Sequence, residues 1–318
     1  MWNLLKILKK HLAKSILASM VLGLIFGYFF DSKFLSMFII PLTFLMVFPM
    51  MVNLNYKELL NKGNGALIVS SQGINFILIP FIAFCIGSIF FKNQPMIFVG
   101  FMLMSVLPTS GMTISWTGFA KGNIHAAIKI TIVALLLSAL IAPLVLKMYL
   151  GTTVAIPMFK IIRQILIVVL IPMIAGATLR YIMINNIGLE QYNSKWKMRF
   201  PLLSSLGVIG IIFVATSLKA KTIINNPSII ILLIIPIILF YLINFTITTM
   251  IGRFFFSWED SIALVYGTVM RNLSVALAIA MTAFSSEGSN IALIIAVAYI
   301  FQVQMAAWYI KLVQKKSV

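Results

Sequence analysis

The chain has 318 residues, 62% of them hydrophobic and only 9% charged, with a mean hydropathy of +1.10, whereas soluble domains carry about 25% charged residues. Its net charge of +18 does not indicate a nucleic-acid partner, because the basic residues fall at the ends of apolar runs, where they orient a membrane protein. Two His and one Cys, Cys85, exclude an internal disulfide and give no cluster for a structural metal.

Apolar runs long enough to cross a bilayer, about 20 residues each, recur along the whole chain and leave no room for a separate soluble domain. The N-terminal MWNLLKILKKHLAKSILASM is a basic amphipathic lead with no small-residue cleavage site after it, and it reads as a cytoplasmic anchor. Five spans follow in the first half: Ser15–Phe30, Phe34–Val52, Ala66–Phe91, Met96–Phe119 and Ile124–Leu146. The second half gives Pro157–Tyr181, Phe200–Leu218, Ile229–Ile251, Ser261–Ala283 and Ile291–Val313. The expected fold is all-α, a polytopic membrane protein with one transporter domain over 1–318. Five spans per half make 151–318 an inverted copy of 1–150, the arrangement common in secondary transporters. A short echo agrees with it: Ile74-Asn75-Phe76 in the third span and Ile243-Asn244-Phe245 in the eighth.

With the N-terminus inside, fifteen basic residues fall on the inner side and seven on the outer. This asymmetry predicts a multi-pass protein of the cell membrane with both termini cytoplasmic. Lys129 and Arg271 are the two cations inside spans, and all six acids lie in loops or at span ends.

The fourth span carries Pro108, Thr109, Ser110, Gly111, Thr113 and Ser115 at mid-depth. Proline removes a backbone donor and clashes with the preceding turn, so the helix should open there. The ninth span, in the matching position, carries Gly267, Thr268, Met270, Arg271 and Asn272. A cation at bilayer depth costs roughly 2.5–3.5 kcal/mol on insertion scales and marks a candidate functional site. Two interrupted helices in corresponding positions can aim their N-terminal dipoles at an anion. Arg271 is therefore a candidate for attracting an anionic solute; the bland alternative is that it caps carbonyls freed by the break. Lys129 is five residues into its span, where it either reaches the site or snorkels to the interface. Asn272, Thr113, Ser115 and Gln302 are candidates for orienting the solute, while Asn75 and Asn244 read as interhelical hydrogen-bonding groups.

The stretch LPTSGMTISWTGFAKGNIHAAIKIT resembles the bile acid:sodium symporter family, with Pro108, Gly111, Thr113 and Lys121-Gly122-Asn123 in the family's frame. Asn75-Phe76 with Pro80 is similar to the family's Gln-Phe and Pro, and Met270-Arg271-Asn272 to its Met-Gln-Asn. The resemblance implies that Thr131, Asn75, Met270 and the position of Gly267 belong to former sodium sites. Where the family has a Glu ligand this chain has Gly267, its Gln is Arg271, and the Asn of its fourth helix is Ile114. Sodium is therefore a possible coupling ion whose usual ligands are largely missing, and no other cofactor is expected. Arsenite exporters are more distant relatives by this resemblance, but their Cys and Glu are absent from the matching places.

These readings lead to a secondary transporter of a small organic anion, embedded in the lipid bilayer and not necessarily sodium-coupled. The alternatives are an arsenite or other oxyanion exporter and an anion channel. An enzyme is not expected, because every carboxylate is peripheral. The oligomeric state stays open.

Overall fold

A computed structural model describes residues 2–61, 63–151, 158–225, 227–284 and 287–314. Within them the chain is almost wholly helical and contains no strand. We label the helices α1 (Trp2–Lys10), α2 (Leu12–Phe29), α3 (Lys33–Val52), α4 (Gly65–Phe90), α5 (Pro95–Val106), α6 (Gly111–Phe119) and α7 (Ile124–Leu150). They continue as α8 (Phe159–Ile187), α9 (Leu189–Asn225), α10 (Ser228–Phe255), α11 (Trp258–Val269), α12 (Leu273–Ala283) and α13 (Gly288–Gln314).

Eight of these helices are long and apolar enough to cross a membrane. Helix is the expected solution, since a backbone in hydrocarbon must satisfy its polar groups within its own segment. The eight coincide with eight of the predicted spans, although Pro157, which opens the sixth, lies outside the described residues. The two remaining stretches are divided. Met96–Phe119 becomes α5 and α6, separated at 107–110, and Ser261–Ala283 is covered by the end of α11 and by α12, separated at 270–272.

Prolines shape the continuous helices as well. A wide π-type turn at Ile74–Leu78 precedes Pro80, and another at Leu166–Leu170 precedes Pro172. Because proline has no N–H to give to the preceding turn, the ladder widens rather than breaks. Asn75 falls inside the first of these turns.

The helices divide by packing. α9 runs along α2 and α3, and the approach is close: a Cβ on Gly207 would lie 2.5 Å from the Met46 nitrogen, and one on Gly27 would fall on the Ser217 carbonyl. Around the two divided stretches, α5 packs on α13, α11 on α10, and α12 on α13. Every residue of α11 from Ser261 to Val269 is buried. All of α12 is buried except the half-buried Thr282. The breaks therefore lie inside protein rather than against lipid, the setting in which irregular backbone is tolerated at membrane depth.

Candidate functional site

The two interruptions meet. Pro108 and Arg271 pair as an isolated antiparallel bridge, and the Asn272 amide donates to the Leu107 carbonyl at 2.8 Å. Thr109 reaches this pairing with a φ of 55°, a left-handed conformation uncommon outside glycine. Beyond the breaks each helix restarts with a cap. Ser110 accepts from the Met112 amide at 3.2 Å while its own amide donates to Thr113 Oγ1 at 3.3 Å. Asn272 Oδ1 accepts from the Val275 amide at 3.2 Å. Two helix N-termini and two C-termini thus converge at one crossing.

Arg271 fills the side where the C-termini end. Its side chain is 0% exposed. Nε donates to the Met104 carbonyl at 3.3 Å, Nη2 to the Ser105 carbonyl, and Nη1 to the Thr268 carbonyl at 2.6 Å and to Asn75 Oδ1 at 2.7 Å. Three of these acceptors are carbonyls near the ends of α5 and α11, which carry the negative end of the helix dipole and lack intrahelical partners. The fourth, Asn75, is itself fixed, because its Nδ2 donates to the Gly267 carbonyl at 3.1 Å. A guanidinium has five N–H donors, so one, on Nη2, has no hydrogen-bond partner among the described residues. No carboxylate lies in this set, and the charge stands against neutral oxygens only.

Gln302 holds the backbone of the same residue. Its Oε1 accepts from the Arg271 amide at 2.8 Å and from Tyr241 Oη at 2.9 Å, and its Nε2 donates to the Arg271 carbonyl at 3.2 Å. Ser274 and Tyr299 share a hydroxyl hydrogen bond in the first turn of α12.

The other predicted positions separate into those at the crossing and those away from it. Thr113 is fully buried and donates to the Tyr266 carbonyl at 3.3 Å. Met270 and Gly267 are buried on the α11 side, and a Cβ at Gly267 would lie 2.8 Å from Ile130 Cγ2. Thr131 is buried, donates back to the Ala127 carbonyl at 2.7 Å, and accepts on its carbonyl from Thr109 Oγ1 at 3.4 Å. Gly111 is half-buried with room around it. Ser115 lies on an exposed face of α6. Asn244, the counterpart of Asn75 in the sequence echo, is buried with neither amide atom hydrogen-bonded among the described residues.

Lys129 points elsewhere. Its Nζ donates to the carbonyls of Asn61 at 2.9 Å and Gly63 at 3.3 Å, in the loop between α3 and α4. That loop is clasped from two sides. On the other flank, Arg180 Nη1 donates to the Leu54 carbonyl at 2.8 Å and to Asn55 Oδ1 at 2.9 Å. Within the loop Glu58 lies 3.2 Å from His125 Nδ1 and accepts from Asn61 and Asn55. The His125 hydrogen bond, with those from Asn61 and Asn55, outweighs partial burial and holds the Glu58 carboxyl below the usual carboxylate range. A depressed folded-state value contributes stability above the unfolded value, about 4.3, and the contribution disappears as pH falls through the folded one. Thermal melts of the purified protein from pH 6 to pH 3 are expected to show this loss, and Glu58→Gln is expected to flatten that part of the profile.

The comparisons with known proteins bear on the whole stretch from α3 to the end of α9. Residues 39–226 match the model of the Sodium Bile acid symporter family. The chain belongs to the sodium bile acid symporter family. This symporter-family chain is also similar to the arsenical-resistance protein Acr3 of Alkaliphilus metalliredigens, 21% identical over 210 residues, covering 62% of this chain and 58% of that protein. It is similar to the uncharacterized protein YbaS of Bacillus subtilis, 24% identical over 73% of this chain and 74% of the relative. A second Acr3, from Corynebacterium glutamicum, is 21% identical over 77% of this chain and 70% of its own length. The match thus spans less than two thirds of the first of these relatives. Members of the family are membrane transporters rather than enzymes.

Sequence reasoning found the two breaks and Arg271 but missed most of what surrounds it. The carbonyls of Met104, Ser105 and Thr268 carry no side-chain signature, and Tyr241 is one of many aromatic residues in apolar text.

Proposed function

We propose that this transporter moves a small organic anion by alternating access and carries its coupling-site cation as part of its own chain. The observation that carries this reading is the fully buried Arg271 guanidinium among four oxygens, three of them carbonyls at the ends of two half-helices and the fourth Asn75 Oδ1 of α4. Unwound carbonyls and half-helix C-termini are the groups that transporters use to hold sodium. Here a covalently attached cation takes their electron density, so a free ion has no place left and no energetic reason to enter. Among the described residues no carboxylate neutralises the charge, and a solute bearing one negative charge would compensate it. Its free Nη2 donor, with the capped N-termini of α6 and α12, faces such a solute when the crossing opens. Asn272, Thr113 and Gln302 keep the crossing in register, and Ser115 offers a hydroxyl on the exposed flank of α6.

In the same reading the chain crosses the cell membrane ten times as two inverted halves, 1–150 and 151–318, with both termini cytoplasmic. Lys129 then serves the inner loop and not the solute. The similarity to two arsenical-resistance proteins favours a second reading, export of an arsenic oxyanion.

A thermal-shift screen of the purified protein against monocarboxylates, dicarboxylates, sulfonates, arsenite and arsenate, in sodium and in choline buffer, separates these. A ligand at 100 times its dissociation constant stabilises by about 2.7 kcal/mol. An organic anion is expected to raise the melting midpoint equally in both buffers, and its uptake into proteoliposomes is expected to be the same with either cation. A strict sodium requirement would end the built-in-cation reading, and shifts with arsenicals alone would establish the second.

A further inference from the structure

We propose that the basic N-terminal lead and the stretch of α9 from Lys195 to Arg199 together form a docking face for anionic phospholipid headgroups. Neither the crossing nor the clasped loop uses the basic N-terminal lead, and the structure shows what it joins. α1 is a helix of its own, ended at His11, where φ and ψ are −111° and 41°. Leu5 is buried, and α1 packs on α9.

Two segments far apart in sequence meet there. The Arg199 guanidinium lies 4.9 Å from the Trp2 ring centre and 5.0 Å from that of Trp196, held between two indoles. Around this sandwich Lys6, Lys9, Lys10 and Lys14 of the lead and Lys195 and Lys197 of α9 are exposed. None is ion-paired with a carboxylate among the described residues, and Glu190 is the only acid in either segment. Lys6 and Lys10 stand four residues apart, on one stripe of α1. Ile7 beside them is 58% exposed, an apolar side chain with no protein to cover it.

A lipid surface supplies what each part lacks. Phosphodiesters meet the lysines, the acyl boundary covers Ile7, and indole rings sit at the headgroup level. Polybasic segments next to spans bind anionic leaflets in this way, and salt weakens them. A soluble anion would satisfy the lysines but leave Ile7 and the indole faces in water, so the occupant is a bilayer lipid.

The test uses the full chain. Wild type, a variant carrying Lys6→Gln, Lys10→Gln, Lys14→Gln, Lys195→Gln and Lys197→Gln, and a control carrying Lys92→Gln, Lys219→Gln and Lys221→Gln are delipidated in detergent. Phosphatidylglycerol retained per protein is then counted by native mass spectrometry, with phosphatidylcholine as comparison. The five-site variant is expected to lose phosphatidylglycerol preference at least about threefold, while the control keeps it and both melt as cooperatively as wild type. If the five-site variant fails to fold, wild type in nanodiscs decides: its melting midpoint should rise with phosphatidylglycerol content and fall back in 0.5 M salt. Equal retention by wild type and the five-site variant would overturn the proposal. So would a stabilisation by inorganic phosphate as large as that by phosphatidylglycerol.

Discussion

Arg271→Ala is expected to destabilise the purified protein by about 3–5 kcal/mol, because several buried acceptors lose their donor at once, and to abolish anion uptake. The truncation orphans the carbonyls of Met104, Ser105 and Thr268 together with Asn75 Oδ1. Each buried acceptor left without a donor costs about 1–3 kcal/mol before relaxation. The consequence that a merely structural role does not share is ionic. The emptied cage presents oxygens and no cation, so sodium should raise the melting midpoint of Arg271→Ala while leaving wild type unchanged. Arg271→Lys is expected to fall between them, because one ammonium cannot reproduce the planar fork that reaches two breaks and Asn75 at once. Melts of the three proteins in sodium, potassium and choline chloride at equal ionic strength check this. A wild type that responds to sodium as strongly as the alanine variant would remove the argument.

The second large effect is expected at Gln302. Gln302→Leu keeps the volume but leaves the Arg271 amide, the Arg271 carbonyl and Tyr241 Oη without partners. A loss of about 3 kcal/mol is expected, with uptake reduced more than about tenfold, since the clamp sets where residue 271 turns between α11 and α12. Tyr241→Phe removes a single hydrogen bond and should cost about 1 kcal/mol. The double substitution should cost less than the sum, because the two side chains hydrogen-bond to each other and each single change breaks that same bond. Additive costs would show that Tyr241 and Gln302 act separately.

Much of the architecture was legible before any coordinates. Eight apolar runs of membrane length became eight long helices because composition and length suffice to specify a span. The breaks were legible at Pro108 and around Gly267, since proline and glycine act on their own turn. That Arg271 would be kept from the surface was legible from its place in the middle of an apolar run, and it is fully buried.

The amino-acid sequence by itself therefore determined the membrane class, the helices, their two interruptions and the presence of a cation at one of them. It did so because periodicity, hydropathy and helix-breaking are local properties, set within a few residues. Only the tertiary structure decided that the guanidinium spends four donors on oxygens from residues 75, 104, 105 and 268, three of them contributed by segments over 160 positions away. It also decided that Lys129 turns to the loop carbonyls at Asn61 and Gly63, and that Trp2 and Trp196 close on Arg199. Backbone acceptors look the same at every position of a sequence. Which of them a break leaves free, and which cation lies within hydrogen-bond reach of them, is fixed only when distant helices pack.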